Sequence, residues 1–174
     1  QLTPLFEATA EISKQKGKKI KIILSHFHPD HIANVQHIKW ESLYQGKNTY
    51  KYTHIGEIVE SDINVDETDI KLRIFQMPSS HAKGSLALLV NNKYCLLGDA
   101  LYPAHKGDKT VYNAGILKQQ IDILKKMAAP YVLLSHREPF VQKKQAVISW
   151  LEKIYAMREK NEPWILMTGQ NVPN

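Results

Sequence analysis

The alternation of apolar and polar positions divides this chain into strand-like and helix-like segments, and the strands are the better marked. Lys19-Ile20-Lys21-Ile22-Ile23-Leu24-Ser25 begins in alternation and becomes continuously apolar, as an inner strand should. Ile70-Lys71-Leu72-Arg73-Ile74-Phe75 alternates cleanly and predicts a strand with one buried face. Two apolar runs, Ser85 to Val90 and Lys93 to Leu97, flank the polar pair Asn91-Asn92 and predict a β-hairpin. Tyr131-Val132-Leu133-Leu134-Ser135 reads as a further buried strand.

Helical spacing appears in four places. Thr3 as N-cap and Pro4 at the first helical position open a helix whose apolar face is Leu5, Phe6, Ala8 and Ile12, up to Gly17, about three turns in all. Ile32, Ala33, Val35, Ile38 and Trp40 suggest a short helix packing back on the sheet. From Ile116 to Ala128, the residues Leu117, Ile121, Leu124 and Ala128 share one face. A last helix from about Gln142 to Lys160 places Val147, Trp150, Leu151, Ile154 and Tyr155 at core spacing. Between Tyr44 and Asp69 the polar and β-branched mix, with Gly46 and Gly56, predicts short strands and loops. Strands and helices thus alternate, an α/β pattern, and with no repeat or linker in view residues 1–174 are read as one domain.

Composition narrows the class. With 174 residues and 43% apolar content the chain can bury a proper core. The net charge of +6 includes a local cluster at Lys14, Lys16, Lys18, Lys19 and Lys21, read mainly as solvated surface and secondarily as weak steering of anions. Cys95 is the single cysteine, so an internal disulfide and a thiolate zinc cluster are excluded, and a reducing, cytoplasmic setting is expected. Its place in an apolar run marks it as a core residue. No stretch approaches the ~18 apolar residues that a bilayer span requires, so no membrane partner is expected.

Chemistry concentrates in His26-Phe27-His28-Pro29-Asp30-His31, directly after the first strand. Strand side chains alternate in direction, so His26 and His28 aim the same way, about 7 Å apart along the backbone, and can converge on one ion. Pro29 favours an extended His28 and a turn, which brings Asp30 and His31 beside them. A hydrolytic ion also needs ligands from other elements and an open position for water. His81 precedes a strand, while Asp99 and His136 each follow one, and polar residues at strand ends line the crevices of α/β folds. Gly98 allows close backbone approach beside Asp99. His37, His54 and His105 are read as ordinary surface or structural residues.

In these residues and their order the chain resembles the metallo-β-lactamase-fold superfamily of hydrolases, with glyoxalase II and the lactonases as the nearest branch. The resemblance implies a four-layer αββα sandwich with metals at one edge between two sheets. It implies a first ion held by His26, His28 and His81, a second by Asp30, His31 and His136, and Asp99 bridging. It also implies opening strands with an Asp-Thr-Gly-like turn upstream of residue 1, so the chain reads as N-terminally incomplete. Ser135 stands where the family commonly has Gly before the last histidine. His28 argues against the flavodiiron branch, which carries Glu at that place. Tyr102, three residues after Asp99, matches a substrate-contacting tyrosine of the N-acyl-homoserine lactone lactonases.

The activity implied is a metal-dependent hydrolase in which a metal-bound hydroxide attacks an ester, thioester or lactone of a small molecule. A bound Zn²⁺ lowers the pKa of its water from ~15.7 to ~7, about 12 kcal/mol, whereas a positioned general base alone contributes roughly 3 to 5 kcal/mol. The metal effect dominates. Asp30 would orient the hydroxide and shuttle its proton, and Tyr102 would contact substrate. Two Zn²⁺ ions are the expected cofactors, with Fe or Mn also suited to His and Asp ligands. A phosphodiesterase or nuclease of the same fold ranks second, and a metal-binding scaffold without turnover third.

Overall fold

The computed structural model describes residues 11, 17 and 19–168. The helix expected between Thr3 and Gly17 therefore lies almost wholly outside the described residues, as do most of the clustered lysines.

Three sheets are present among the described residues. The first is parallel, in the order β1 (Lys21–Ile23), β2 (Ser42–Gln45), β3 (Glu57–Ile58). The second has six strands: β11 (Val141–Lys143), β10 (Tyr131–Leu134), β7 (Tyr94–Gly98), β6 (Ser85–Val90), β5 (Ile70–Met77) and β4 (Ile63–Glu67). Its neighbours pair antiparallel except β10 and β7, which are parallel. The third is antiparallel, β12 (Trp164–Met167) to β9 (Lys109–Asn113) to β8 (Ala104–Lys106). Within residues 19–168 four α-helices accompany them: α1 (Pro29–Ile32), α2 (Lys47–Thr53), α3 (Ala114–Lys126) and α4 (Lys144–Ala156).

Period-two alternation divides the six-stranded sheet into two burial faces. Phe75, Met77, Ala87, Leu89, Cys95, Leu97, Val132 and Leu134 pack in one core with Leu117, Ile121 and Leu124 of α3 and Val147, Leu151 and Ile154 of α4. Ile74, Leu86 and Leu88 point the other way, against Val59 and the inward residues Ile23 and Tyr44 of the first sheet. Ile22, Leu24 and Leu43 leave the opposite face of that sheet and meet Val35, Ile32 and Trp40. Burial of each large side chain contributes roughly 1.5 to 3 kcal/mol, which is why these alternations dictate the layering. Cys95 is fully buried, and burial pushes its thiol up to about 12, as befits a packing residue.

Several boundaries differ from expectation. The helix after His31 is a single turn, α1, followed by a 3₁₀ turn at Val35–His37, though Ile32, Val35 and Trp40 do pack back as anticipated. Residues 47–53, within the stretch expected to hold short strands and loops, form α2. Thr49 and Thr53 are β-branched and Tyr50 and Tyr52 aromatic, so intrinsic helix preference is weak and tertiary contact decides. β8, β9 and β12 lie in stretches whose alternation is too short to signal a strand. Among the described residues no helix is long and apolar enough to cross a membrane.

Candidate metal centre

Every chemically marked residue sits just beyond a strand, at one edge of the two facing sheets. His26 and His28 follow β1, His81 lies in the connection from β5 to β6, Asp99 follows β7, and His136 follows β10. Parallel pairing of β10 with β7 places the last two side by side, and Ser135 donates its N–H to the Gly98 carbonyl at 3.2 Å. Asp30 and His31 fall in α1, which starts at Pro29 with extended His28 as its N-cap.

The seven side chains converge in two groups. His26, His28 and His81 form one; Asp30, His31, Asp99 and His136 form the other. Within each group the potential ligand atoms lie within 4.8 Å of one another. Asp99 Oδ2 stands between the groups: it is 3.7 Å from His26 Nε2 and 3.5 Å from His81 Nε2 on one side, and 3.3 Å from His31 Nε2 and 3.7 Å from His136 Nε2 on the other. Asp30 Oδ2 lies 3.1 Å from His136 Nε2 and 3.4 Å from His31 Nε2.

The hydrogen bonds behind the rings decide which nitrogens face inward. His81 Nδ1–H donates to the Pro103 carbonyl at 3.1 Å, which turns Nε2 toward Asp99. Ser25 Oγ is 3.1 Å from His26 Nδ1 and 3.2 Å from His31 Nδ1, and an oxygen with two lone pairs can accept from both. Both rings then also turn Nε2 inward, the arrangement that supporting partners give to metal-ligating histidines.

Burial lowers His26 to about 4, assisted by the neighbouring His31, so this imidazole stays neutral and keeps its lone pair. Burial lowers His28 too. His81 is lowered by burial, but Asp99 and the Pro103 carbonyl together outweigh that and raise it overall. Burial works to raise Asp99, yet the close His31 and His81 rings prevail and hold its carboxyl far below the usual carboxylate range.

His31 Nε2, His81 Nε2 and Asp99 Oδ1 are buried polar atoms without a hydrogen-bond partner. Such orphans cost about 1 to 3 kcal/mol each, and these three share one small volume. A divalent cation fits this need, since imidazole nitrogen and carboxylate oxygen are suitable donors for Zn, Fe or Mn alike.

No protein-family model matches the chain, and no curated protein matches it. Solved structures do. A flavoprotein from Thermotoga maritima superposes with a TM-score of 0.65 at 12% identity, covering 89% of this chain and 47% of that one. A metallo-beta-lactamase from Pontibacter korlensis gives 0.58 at 14% identity, over 86% and 77%. Rubredoxin oxygen:oxidoreductase from Desulfovibrio gigas gives 0.70 at 10% identity, over 92% and 49%. This is the metallo-β-lactamase fold. The chain spans about half the length of the flavoprotein and of the oxidoreductase. At these identities the likeness establishes architecture, and the fold is shared by hydrolytic and redox proteins.

Four features of the site were not anticipated. Ser25 supports two imidazoles at once. Gln120, fully buried on α3, donates to the carbonyls of Pro78 at 2.7 Å and Ala100 at 2.6 Å, and so braces the segments leading to His81 and from Asp99. Phe27 stacks on Tyr52 of α2 with centroids 5.0 Å apart and planes 13° apart, beside His28. Tyr102 directs its hydroxyl at the Ser135 carbonyl, with its ring edge-on to His81 at 6.3 Å. Ser25 and Phe27 adjoin or lie within the histidine motif and Tyr102 was marked by the resemblance, whereas Gln120 and Tyr52 carried no sequence signal. Arg137, next to His136, stacks over Trp150 at 4.9 Å and is half-buried.

Proposed function

We propose that this chain forms the metal site of a hydrolase that cleaves an ester, thioester or lactone in a small molecule. The observation that carries the reading is the placement of Asp99 Oδ2 within 3.7 Å of four imidazole nitrogens drawn from both ligand groups. His26, His28 and His81 would hold one ion, Asp30, His31 and His136 a second, with Asp99 between them. Bound Zn²⁺ would supply Lewis acidity and a water acidic enough to react at neutral pH.

The chain's own groups account for the rest. Asp30, whose side chain is 54% exposed, faces solvent while its Oδ2 touches His136. It is placed to take the proton of the attacking water and pass it to the departing oxygen or sulfur as the acyl bond breaks. The Phe27–Tyr52 pair offers a flat apolar surface at the rim, suited to an acyl or aryl portion of the substrate.

The likeness to the flavoprotein and the oxidoreductase supports a second reading, a di-iron redox centre. The imidazole of His28 weighs against it, because that branch resembles this pattern with Glu at the corresponding place. Metal content and turnover of the full chain test both readings. Two equivalents of zinc, with ester, thioester or lactone hydrolysis lost to chelator and restored by Zn²⁺, is the expected result. Two irons with oxygen consumption and no hydrolysis would replace it by the second reading, and nucleic-acid cleavage falling steeply with salt would point to a phosphodiesterase.

A further inference from the structure

His136 is the outlier of the centre. Its side chain is 59% exposed, and its backbone lies at φ 58°, a left-handed conformation that is uncommon for residues with a Cβ. Yet Nε2 is held 3.1 Å from Asp30. Something must fix the loop that carries it.

The restraint lies at Ser135, where both backbone polar groups are engaged. Its N–H donates to the Gly98 carbonyl at 3.2 Å, and its C=O accepts from the Tyr102 hydroxyl. Tyr102 is itself pinned, its N–H donating to the Asp99 carbonyl at 3.0 Å. The β10 to β7 register shifts just before this point, between Leu133 and Leu134, so ordinary ladder bonds do not extend to His136. Tyr102 thus joins the turn that presents Asp99 to the loop that presents His136.

We propose that Tyr102 is a positioning residue: its hydroxyl, through the Ser135 carbonyl, holds His136 in its left-handed conformation and so assembles the group Asp30, His31, Asp99 and His136. This rests on the metal-site reading above and gives Tyr102 a role other than contact with substrate. A lost supporting partner typically weakens metal affinity by about 10- to 100-fold, and the loss should be confined to one of the two ligand groups.

The test is calorimetric Zn²⁺ binding to the metal-free full chain, with Co²⁺ absorption spectra as a second readout. Wild type should bind two ions. Y102F, which keeps the ring and removes only the hydroxyl, should weaken one site by about 10- to 100-fold and leave the other unchanged. H136A should remove that same site, and Y102F combined with H136A should lose nothing more than H136A alone. Where Y102F fails to fold, Y102M, whose flexible apolar side chain fills the space without a hydroxyl, takes its place and should weaken the same site by the same factor. Wild type binding fewer than two ions overturns the metal reading itself. Two ions in wild type, with unchanged affinities and Co²⁺ spectrum in Y102F, or in Y102M where that variant is used, overturns the role of Tyr102 alone.

Discussion

The two ligand groups are built in opposite ways. His26, His28 and His81 are three imidazoles, with His26 only 1% exposed, fixed between a strand end and a loop braced by Gln120. Asp30, His31, Asp99 and His136 combine two carboxylates with two imidazoles, and two of the four are more than half exposed. The first group draws its precision from burial, because packed neighbours leave the rings little freedom. The second draws it from side chains that hold one another, His136 Nε2 on Asp30 at 3.1 Å and His31 Nδ1 on the Ser25 hydroxyl at 3.2 Å, at a place where solvent enters. The buried group should hold its geometry without an ion, whereas the open one admits water and substrate.

The largest expected effect removes the feature the groups share. Asp99→Asn takes the charge from the oxygen between them and should reduce Zn²⁺ affinity at both sites by more than the roughly 10- to 100-fold that follows loss of a supporting partner. Calorimetry that shows one site intact would break the view of Asp99 as common to both.

Next is the cost of the buried group in the metal-free protein. His26 titrates near 4 when folded against 6.5 for the ordinary imidazole, so between those values the unfolded chain takes a proton that the folded chain refuses. Stability should be complete above pH 6.5 and fall by about 3 kcal/mol as the pH drops to 4, at ~1.36 kcal/mol per unit. His81 is raised and acts in reverse, its contribution present below pH 6.5 and lost as pH rises through its folded value. Urea unfolding of chelated protein between pH 4 and 8 reads the balance, and His81→Gln should steepen the acid loss. A flat profile would mean that His26 is not held neutral by burial.

A smaller effect tests the support beneath both groups. Gly98 lies at φ 53°, and a Cβ there would stand 2.8 Å from both Cβ and Oγ of Ser25. Gly98→Ala should cost about 1 to 3 kcal/mol, read as a lower thermal midpoint. Adding Ser25→Gly should recover the steric part of that loss but not the backbone part.

The smallest effect concerns the rim. Tyr52 is 61% exposed, so Tyr52→Ala should leave stability within about 0.5 kcal/mol. Losing the stacked surface should raise KM for apolar esters several-fold with kcat unchanged, in keeping with ~0.5 to 1.5 kcal/mol for an aromatic pair. Equal losses in KM and kcat would place Tyr52 nearer the chemistry than the rim.

Those residues of the centre that follow strong apolar strands were legible in the sequence, because a continuous run such as Leu133-Leu134 fixes both the strand and the place where the next side chain emerges. His26, Asp99 and His136 owe their recognition to that. What was hidden depends on contacts across long separations. Ser25 meets Gly98, Tyr102 meets Ser135, and Phe27 meets Tyr52 from a helix that local preference does not favour. Gln120 is similar: a polar residue on an otherwise apolar helix face gains its meaning only from the carbonyls of Pro78 and Ala100, and neither is near it in sequence.

Ser25 also joins the two layers of strands, for its carbonyl accepts the N–H of Leu86 at 2.8 Å while its hydroxyl supports two imidazoles. Sliding of one layer against the other would be felt by both rings at once. The Leu86 amide is therefore a natural sensor of shear, and the rate at which it takes up deuterium measures how firmly the halves of the molecule are clamped.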